Sequence, residues 1–322
     1  MIIDGHNDLV LHCWQNQPTR HLDLDAARAA GFSGGFFALY VPSPEVPPPT
    51  SFPYAQPLPD PIPHDEAARI AEELFETLCA LPVRRARTVD DFVDGDVTAI
   101  VHMEGAEPIA PDLSNLEEWY GRGLRSIGPV WSRPNDFAHG VPFAFPSAPD
   151  TGPGLTGAGK SLVGACNELG ILVDCSHLNE AGFWDVARLS NAPLVATHSN
   201  AHALCPASRN LTDAQLDAIA ASGGIVGVNF AVSFLREDGW NVPDDTPITE
   251  IVRHVDYLAD RMGIDHVAFG SDFDGTEIPA ELGDAAGLPK LLDALRAHGF
   301  GDDALAKITH RNWLRVLDAT WS

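Results

Sequence analysis

The sequence predicts an α/β fold, a closed (β/α)8 barrel of the TIM type, on three observations. Short apolar runs recur along the whole chain, about eight of them. Most are followed by a segment with helical period. Polar residues of metal-ligand type fall just past the C-terminal ends of several runs. Apolar strands that alternate with amphipathic helices build a parallel sheet with helices outside it. Eight such units in roughly 300 residues suit a closed barrel. An open doubly wound sheet is the alternative, though no Gly-x-Gly-x-x-Gly fingerprint points to dinucleotide binding.

The elements follow in order. Ile2 and Ile3 open the first strand, and Gly5 lets the chain bend as it leaves. His6 and Asp8, two apart, would project from the strand end on one face. An imidazole beside a carboxylate makes half of a divalent-metal site, or else a polar turn. Residues 22–30 read as a short helix and 34–41 (GGFFALYV) as the second strand. The proline-dense insert 42–63 cannot be regular helix or central strand. It is either an ordered surface loop or a wall or lid over a site. Residues 64–81 form a helix by the period of Ala68, Ile70, Ala71, Leu74, Phe75 and Leu78.

Residues 98–102 (TAIVH) make a third strand, ending at Met103-Glu104-Gly105. A helix over 113–120 leads to a fourth strand over 124–131. A second irregular insert, 134–155, is rich in Pro, Phe and Gly. Helix 156–169 precedes strand 171–174, which ends at Cys175-Ser176-His177. Helix 180–189 precedes strand 194–197, which ends at His198. Thr212 caps a helix over 212–221. Strand 224–230, helix 248–262 and strand 266–270 follow, the last ending at Ser271-Asp272. Helices over 288–298 and 302–319 close the chain. The alternation shows no boundary and no internal repeat, so residues 1–322 are expected to form a single domain.

Composition narrows the function. The chain has 322 residues, 45% hydrophobic, which is enough for a large core. Its net charge of −25 repels phosphate backbones and anionic lipid heads. No nucleic-acid partner and no membrane partner is expected. Cys13, Cys79, Cys166, Cys175 and Cys205 are odd in number and widely spaced. Free thiols in a reducing compartment fit them better than disulfides. No apolar run approaches the roughly 20 residues that span a bilayer, and no basic-then-apolar leader opens the chain. A cytoplasmic protein is the expectation.

The chemistry lies in His6, Asp8, Glu104, His177, His198 and Asp272. A lone His after a strand is usually a loop residue, and a lone Asp or Glu there is often a helix cap. Six such residues at the same ends of their strands would meet at one barrel mouth, where active sites lie. Three histidines and several carboxylates suit Zn2+ or a similar cation, and the set is large enough for two ions.

Six motifs carry a resemblance. They are Asp4-Gly5-His6-Asn7-Asp8, Glu104-Gly105, Asp174-Cys175-Ser176-His177, Thr197-His198-Ser199-Asn200, Ser208-Arg209-Asn210 and Gly270-Ser271-Asp272-Phe273-Asp274-Gly275. In order and spacing they resemble the membrane (renal) dipeptidase family of the metal-dependent amidohydrolase superfamily. The resemblance implies a zinc-dependent dipeptidase with two Zn2+ per chain, bridged by Glu104 and a hydroxide. His6 and Asp8 would hold one ion, and His177 and His198 the other. Asp272 would be the catalytic acid/base, and Arg209 would bind the C-terminal carboxylate of a small dipeptide. The family tolerates a D-residue there and often forms homodimers, so a homodimer is expected.

Asp4 reads as a partner that orients a ligand or as a strand-end residue; Asp274 reads as a turn or cap. One departure stands out. Trp131, in Pro129-Val130-Trp131-Ser132, occupies the place of a family histidine that contacts the substrate near its scissile carbonyl. Indole donates one N–H and cannot become an imidazolium. Trp131 is then a substrate-binding or wall residue, or another group such as His139 takes that place. The alternative functions are hydrolysis of another small amide or lactam, and binding without catalysis.

Overall fold

The computed structural model describes residues 1–44, 47 and 49–321. Each apolar run becomes a strand: β1 (Ile2–Asn7), β2 (Phe32–Tyr40), β3 (Thr98–Glu104), β4 (Leu124–Gly128), β5 (Leu172–Val173), β6 (Val195–Ser199), β7 (Ile225–Val228) and β8 (Val267–Phe269). All pair in parallel, in the order β5-β4-β3-β2-β1-β8-β7-β6. A bridge between Asp174 and Val195 joins the two ends, with Cys175 N–H donating to Val195 O at 2.8 Å. The sheet therefore curls into an eight-stranded barrel that is nearly closed.

The strands read as continuous apolar runs because both faces are buried. Inside, seven strands each give one side chain to a packed layer: Ile3, Phe36, Ile100, Leu172, Val195, Ile225 and Ala268. Trp313 plugs the layer, with its ring 4.9 Å from Phe36 and its indole N–H donated to Phe269 O at 3.1 Å. Outside, helices lay apolar stripes on the strands. The helix His64–Ala80 buries Ala67, Ile70, Ala71, Leu74, Phe75 and Leu78 along one face. Reciprocal bonds between Thr212 and Gln215 start the helix Asp213–Ala221.

Three features depart from the expected elements. The last helix is interrupted: Asp302–Ala306 passes through a π-turn at Lys307–Arg311 into Asn312–Trp321. The turn directs Asn312 Nδ2 to donate to Ile264 O and Val267 O, tying the helix to β8. Two short helices, Leu9–Trp14 and Val232–Leu235, begin close to strand ends where the sequence reading assigned no element. Finally, the two irregular inserts pair with each other. Tyr54–Ala55 and Ala144–Phe145 form an antiparallel ladder, extended by Gln56 N–H to Phe143 O at 2.8 Å. Residues 45, 46 and 48 of the first insert lie outside the described residues.

All five cysteines are free thiols. Among the described residues, no helix is long and apolar enough to cross a membrane.

Candidate active site

The C-terminal ends of the strands bring the expected side chains to one mouth. His6 and Asp8 leave β1 together, with His6 Nε2 3.3 Å from Asp8 Oδ2. Glu104 ends β3 and stands between two groups of ligands. Its Oε1 lies 3.7 Å from His6 Nε2, 3.1 Å from His177 Nε2 and 3.5 Å from His198 Nε2. His177 and His198 bring their Nε2 atoms within 3.1 Å of each other. Asp272 stands beside His6 and Asp8 in a second group of donor atoms close enough to hold a cation.

The spacings suit a metal. A tetrahedral ion with bonds of about 2.0–2.1 Å separates its donors by about 3.3 Å. His177, His198 and Glu104 show edges of 3.1–3.5 Å. His6 Nδ1 and Asp8 Oδ1 are buried without a hydrogen-bond partner. Buried unpaired polar atoms are costly, so the cluster is short of a partner.

Electrostatics give the same account. Burial pushes Glu104 up to about 8, against the pull of His6 and with the help of Asp8 and Asp272. Burial also raises Asp272. Burial opposes charge on His6, yet Glu104 and Asp8 outweigh it and lift His6 to about 10. Burial holds His177 and His198 well below the ordinary range, as neutral ligands must be. The buried Asp8 and Glu104 and the partly buried Asp272 thus compete for positive charge that a divalent cation would supply.

A relay fixes one ligand. His198 Nδ1 lies 2.8 Å from Thr197 Oγ1, which donates to Asp174 Oδ2 at 2.7 Å. Thr197 therefore accepts from His198 Nδ1–H, and the lone pair of Nε2 faces the mouth. Asp174 Oδ1 accepts from Ser176 Oγ at 2.6 Å and Thr197 N at 2.9 Å. His177 is less settled. Arg209 Nε–H donates to its Nδ1 at 3.2 Å, and Ser132 Oγ lies 3.4 Å away. Ligation through Nε2 would put the proton on Nδ1, with Ser132 Oγ as its acceptor, and would release the Arg209 Nε–H.

Arg209 is buried at the mouth but largely occupied. It donates to His177 Nδ1, Ser176 O, Ser199 Oγ at 3.1 Å and His198 O at 3.1 Å. Four of its five N–H groups are thereby used, leaving one on Nη2, and the Nε–H joins it when His177 carries its proton on Nδ1. A two-pronged grip on a carboxylate is therefore not preformed while His177 Nδ1 accepts the Nε–H. Burial lowers Arg209 to about 10, so it stays charged near neutral pH.

The mouth opens into a cavity of about 410 Å³, suited to a small substrate. Gln56, Pro57, Leu58 and Pro59 form part of its wall, so the first insert is a wall and not merely a surface loop. Trp131 lines it too, packed between Tyr40 at 5.1 Å, Phe143 at 5.5 Å and His177 at 5.8 Å. His139 does not take the place of the missing imidazole. Its Nδ1 faces Gly154 O at 3.4 Å, outside the cavity lining. Asp274 lies in a turn, as expected, with φ +67°, and its Oδ1 ties that turn to a distant loop by accepting from Arg20 N and His21 N at 2.8 and 2.7 Å. Asp4 accepts from Ser271 N and Oγ at 2.6 and 2.7 Å, anchoring the segment that carries Asp272.

Gly275 shows how tightly the site is built. A Cβ there would lie 2.2 Å from Asp8 Oδ2 and 2.5 Å from Asp272 Oδ1. Asn229 escaped the sequence reading. Its Nδ2 donates to Asp272 Oδ2 at 2.9 Å. The sequence reading placed it inside strand 224–230, which ends at Val228 in the structure, so nothing marked Asn229 as a strand-end residue.

Comparison with known proteins agrees with the barrel fold. The pattern of the membrane dipeptidase family (peptidase family M19) matches residues 1–321. A metallo peptidase from Rhodobacter sphaeroides, crystallised with a phosphinate mimic of the dipeptide L-Ala-D-Ala, is 47% identical. It superposes with a TM-score of 0.94 over 99% of each chain. The crystal structure of dipeptidase AC, a metallo peptidase of family M19, is 48% identical with a TM-score of 0.94, covering 99% of this chain and 98% of that one. A dipeptidase from Clonostachys rogersoniana, verJ, is 28% identical over 344 residues, 99% of this chain and 84% of its own length. With its barrel, its strand-end cluster and a whole-chain match in agreement, this chain belongs to the membrane dipeptidase family, peptidase family M19.

Proposed function

We propose that this protein is a zinc-dependent dipeptidase that hydrolyses the peptide bond of small dipeptides. The observation that carries the reading is the spacing of four buried donors, His6, Asp8, His177 and His198, around Glu104, at the floor of a substrate-sized cavity. His6 and Asp8 would hold one Zn2+, His177 and His198 the other, with Glu104 shared between them. Two bound ions would depress the pKa of a water toward neutrality and polarise a carbonyl.

The chain's own residues supply the rest. Asp272 takes the proton of the attacking water and passes it to the amide nitrogen as the C–N bond breaks. Arg209 attracts the substrate's C-terminal carboxylate with its charge and its remaining Nη2–H. Trp131 and Phe143 exclude water along one wall. The phosphinate mimic of L-Ala-D-Ala bound by the Rhodobacter sphaeroides relative supports tolerance of a C-terminal D-residue. A homodimer, suggested by resemblance, is tested by the mass in solution.

A second reading keeps the metal site and changes the substrate to another small amide or a lactam. Trp131 in place of an imidazole favours it. Assay of dipeptides, their C-terminal amides and simple lactams separates the two. Preferential cleavage of dipeptides with a free carboxylate supports the first reading, and equal or better cleavage of amides or lactams supports the second.

A further inference from the structure

Asp272 has two carboxylate oxygens, and their surroundings differ. Oδ2 accepts from Asn229 Nδ2 at 2.9 Å. Oδ1 stands against Gly275, where a Cβ would lie 2.5 Å from it and 2.2 Å from Asp8 Oδ2. The orientation of the Asn229 amide follows from its other bond. Its Oδ1 accepts from Ala231 N–H at 2.6 Å, so the NH2 end must face Asp272. The main chain of Asn229 is clamped as well: its N–H donates to Asn200 Oδ1 at 3.1 Å, and its carbonyl accepts from Asn200 Nδ2 at 2.9 Å. Asn229 is buried, so its side chain has little freedom to turn away.

The backbone of Asp272 is constrained too. Its φ is +61°, a left-handed conformation uncommon for a residue with a side chain. Its N–H donates to His6 O at 3.1 Å, which locks the segment to β1. Carboxylate, backbone and amide are therefore held as one unit.

We propose that Asn229 is a positioning residue that reserves Asp272 Oδ1 as the proton-carrying atom. Accepting an N–H at 2.9 Å stabilises negative charge on Oδ2 and makes it the less basic oxygen, so a proton added to the carboxylate favours Oδ1. The proton of the attacking water goes to Oδ1 as its oxygen bonds to the amide carbon. Oδ1 then returns it to the amide nitrogen, which keeps the electron pair of the broken C–N bond. Asn229 touches neither substrate nor proton; it sets which oxygen does.

This inference rests on Asp272 being the acid/base of the proposed dipeptidase, and the test separates the two. Asn229→Asp keeps an oxygen for Ala231 N–H but turns the donor facing Asp272 into an acceptor. Asn229→Ala removes both bonds and covers the case in which the first variant does not fold. Kinetics and bound metal are measured on the metal-loaded proteins. Both variants are expected to lose kcat by about 10–100-fold, with KM within about threefold and metal content unchanged. Asn229→Asp should lose at least as much as Asn229→Ala. Asn229→Asp within twofold of wild type would overturn the inference, because the bond to Ala231 alone would then suffice. A loss confined to KM, or one that tracks lost metal, would also overturn it. An inactive wild type, or an Asp272→Asn variant of full activity, would instead defeat the parent reading.

Discussion

At the scale of single residues, the site is a set of side chains that only their neighbours make specific. The relay Asp174–Thr197–His198 is the clearest example. Thr197→Val removes the hydroxyl at nearly constant volume, and Thr197→Ser keeps it. The valine variant is expected to bind Zn2+ about 10–100-fold more weakly in a chelator competition, with serine close to wild type. Equal affinities in the two would refute the relay. Arg209→Ala is expected to raise KM for dipeptides about tenfold or more while changing cleavage of their amides little. An unchanged preference for dipeptides over amides would remove Arg209 from the carboxylate subsite. The polar residues at the strand ends were legible in the sequence because strands place them by rule. Asn229 was not, because its role depends on Asp272, 43 positions away. The occupied state of Arg209 was equally hidden, since its partners Ser176 O and His198 O are backbone atoms.

At the scale of elements, hydrophobic period located all eight strands and nearly all the long helices. It could not locate the ladder between Tyr54–Ala55 and Ala144–Phe145, because strands of two residues carry no period. That ladder matters for function, since Gln56 to Pro59 continue from it into the cavity wall. Phe145 secures it through ring contacts with Phe52 at 5.2 Å and Tyr54 at 6.3 Å. Phe145→Ala is expected to loosen the wall, raising KM several-fold with kcat nearly constant in steady-state kinetics. A fall in kcat alone would contradict a wall function. The π-turn at Lys307–Arg311 was hidden for a different reason. Its periodicity reads as continuous helix, and the bonds of Asn312 to Ile264 O and Val267 O decide the bulge. Gly5 was legible as a bend, but its close approach was not: a Cβ there would lie 2.0 Å from Thr197 O, across the barrel.

At the scale of the whole molecule, the barrel holds buried titratable groups that stability must accommodate. His254 accepts from Ala201 N–H at Nδ1 and faces Leu235 O with Nε2, which fits one neutral tautomer. Burial lowers it to about 3, from an ordinary 6.5. The folded value lies below the unfolded one, so its contribution is present above pH 6.5 and lost as pH falls toward 3. The loss between pH 7 and pH 5 is about 2 kcal/mol. Denaturant melts should therefore show a smaller fall over that range in His254→Gln than in wild type; equal falls would refute the assignment.

The same molecule-scale reasoning applies to the metal. A cation bound by the folded barrel and not by the unfolded chain adds about 4 kcal/mol at a thousandfold excess over Kd. The most direct test is to purify the protein without chelator, count its metals by elemental analysis and assay that sample against L-L and L-D dipeptides. The account predicts about two zinc ions per chain and release of free amino acids. Protein that binds no metal even after reconstitution, or that holds two ions and cleaves no dipeptide, would contradict it.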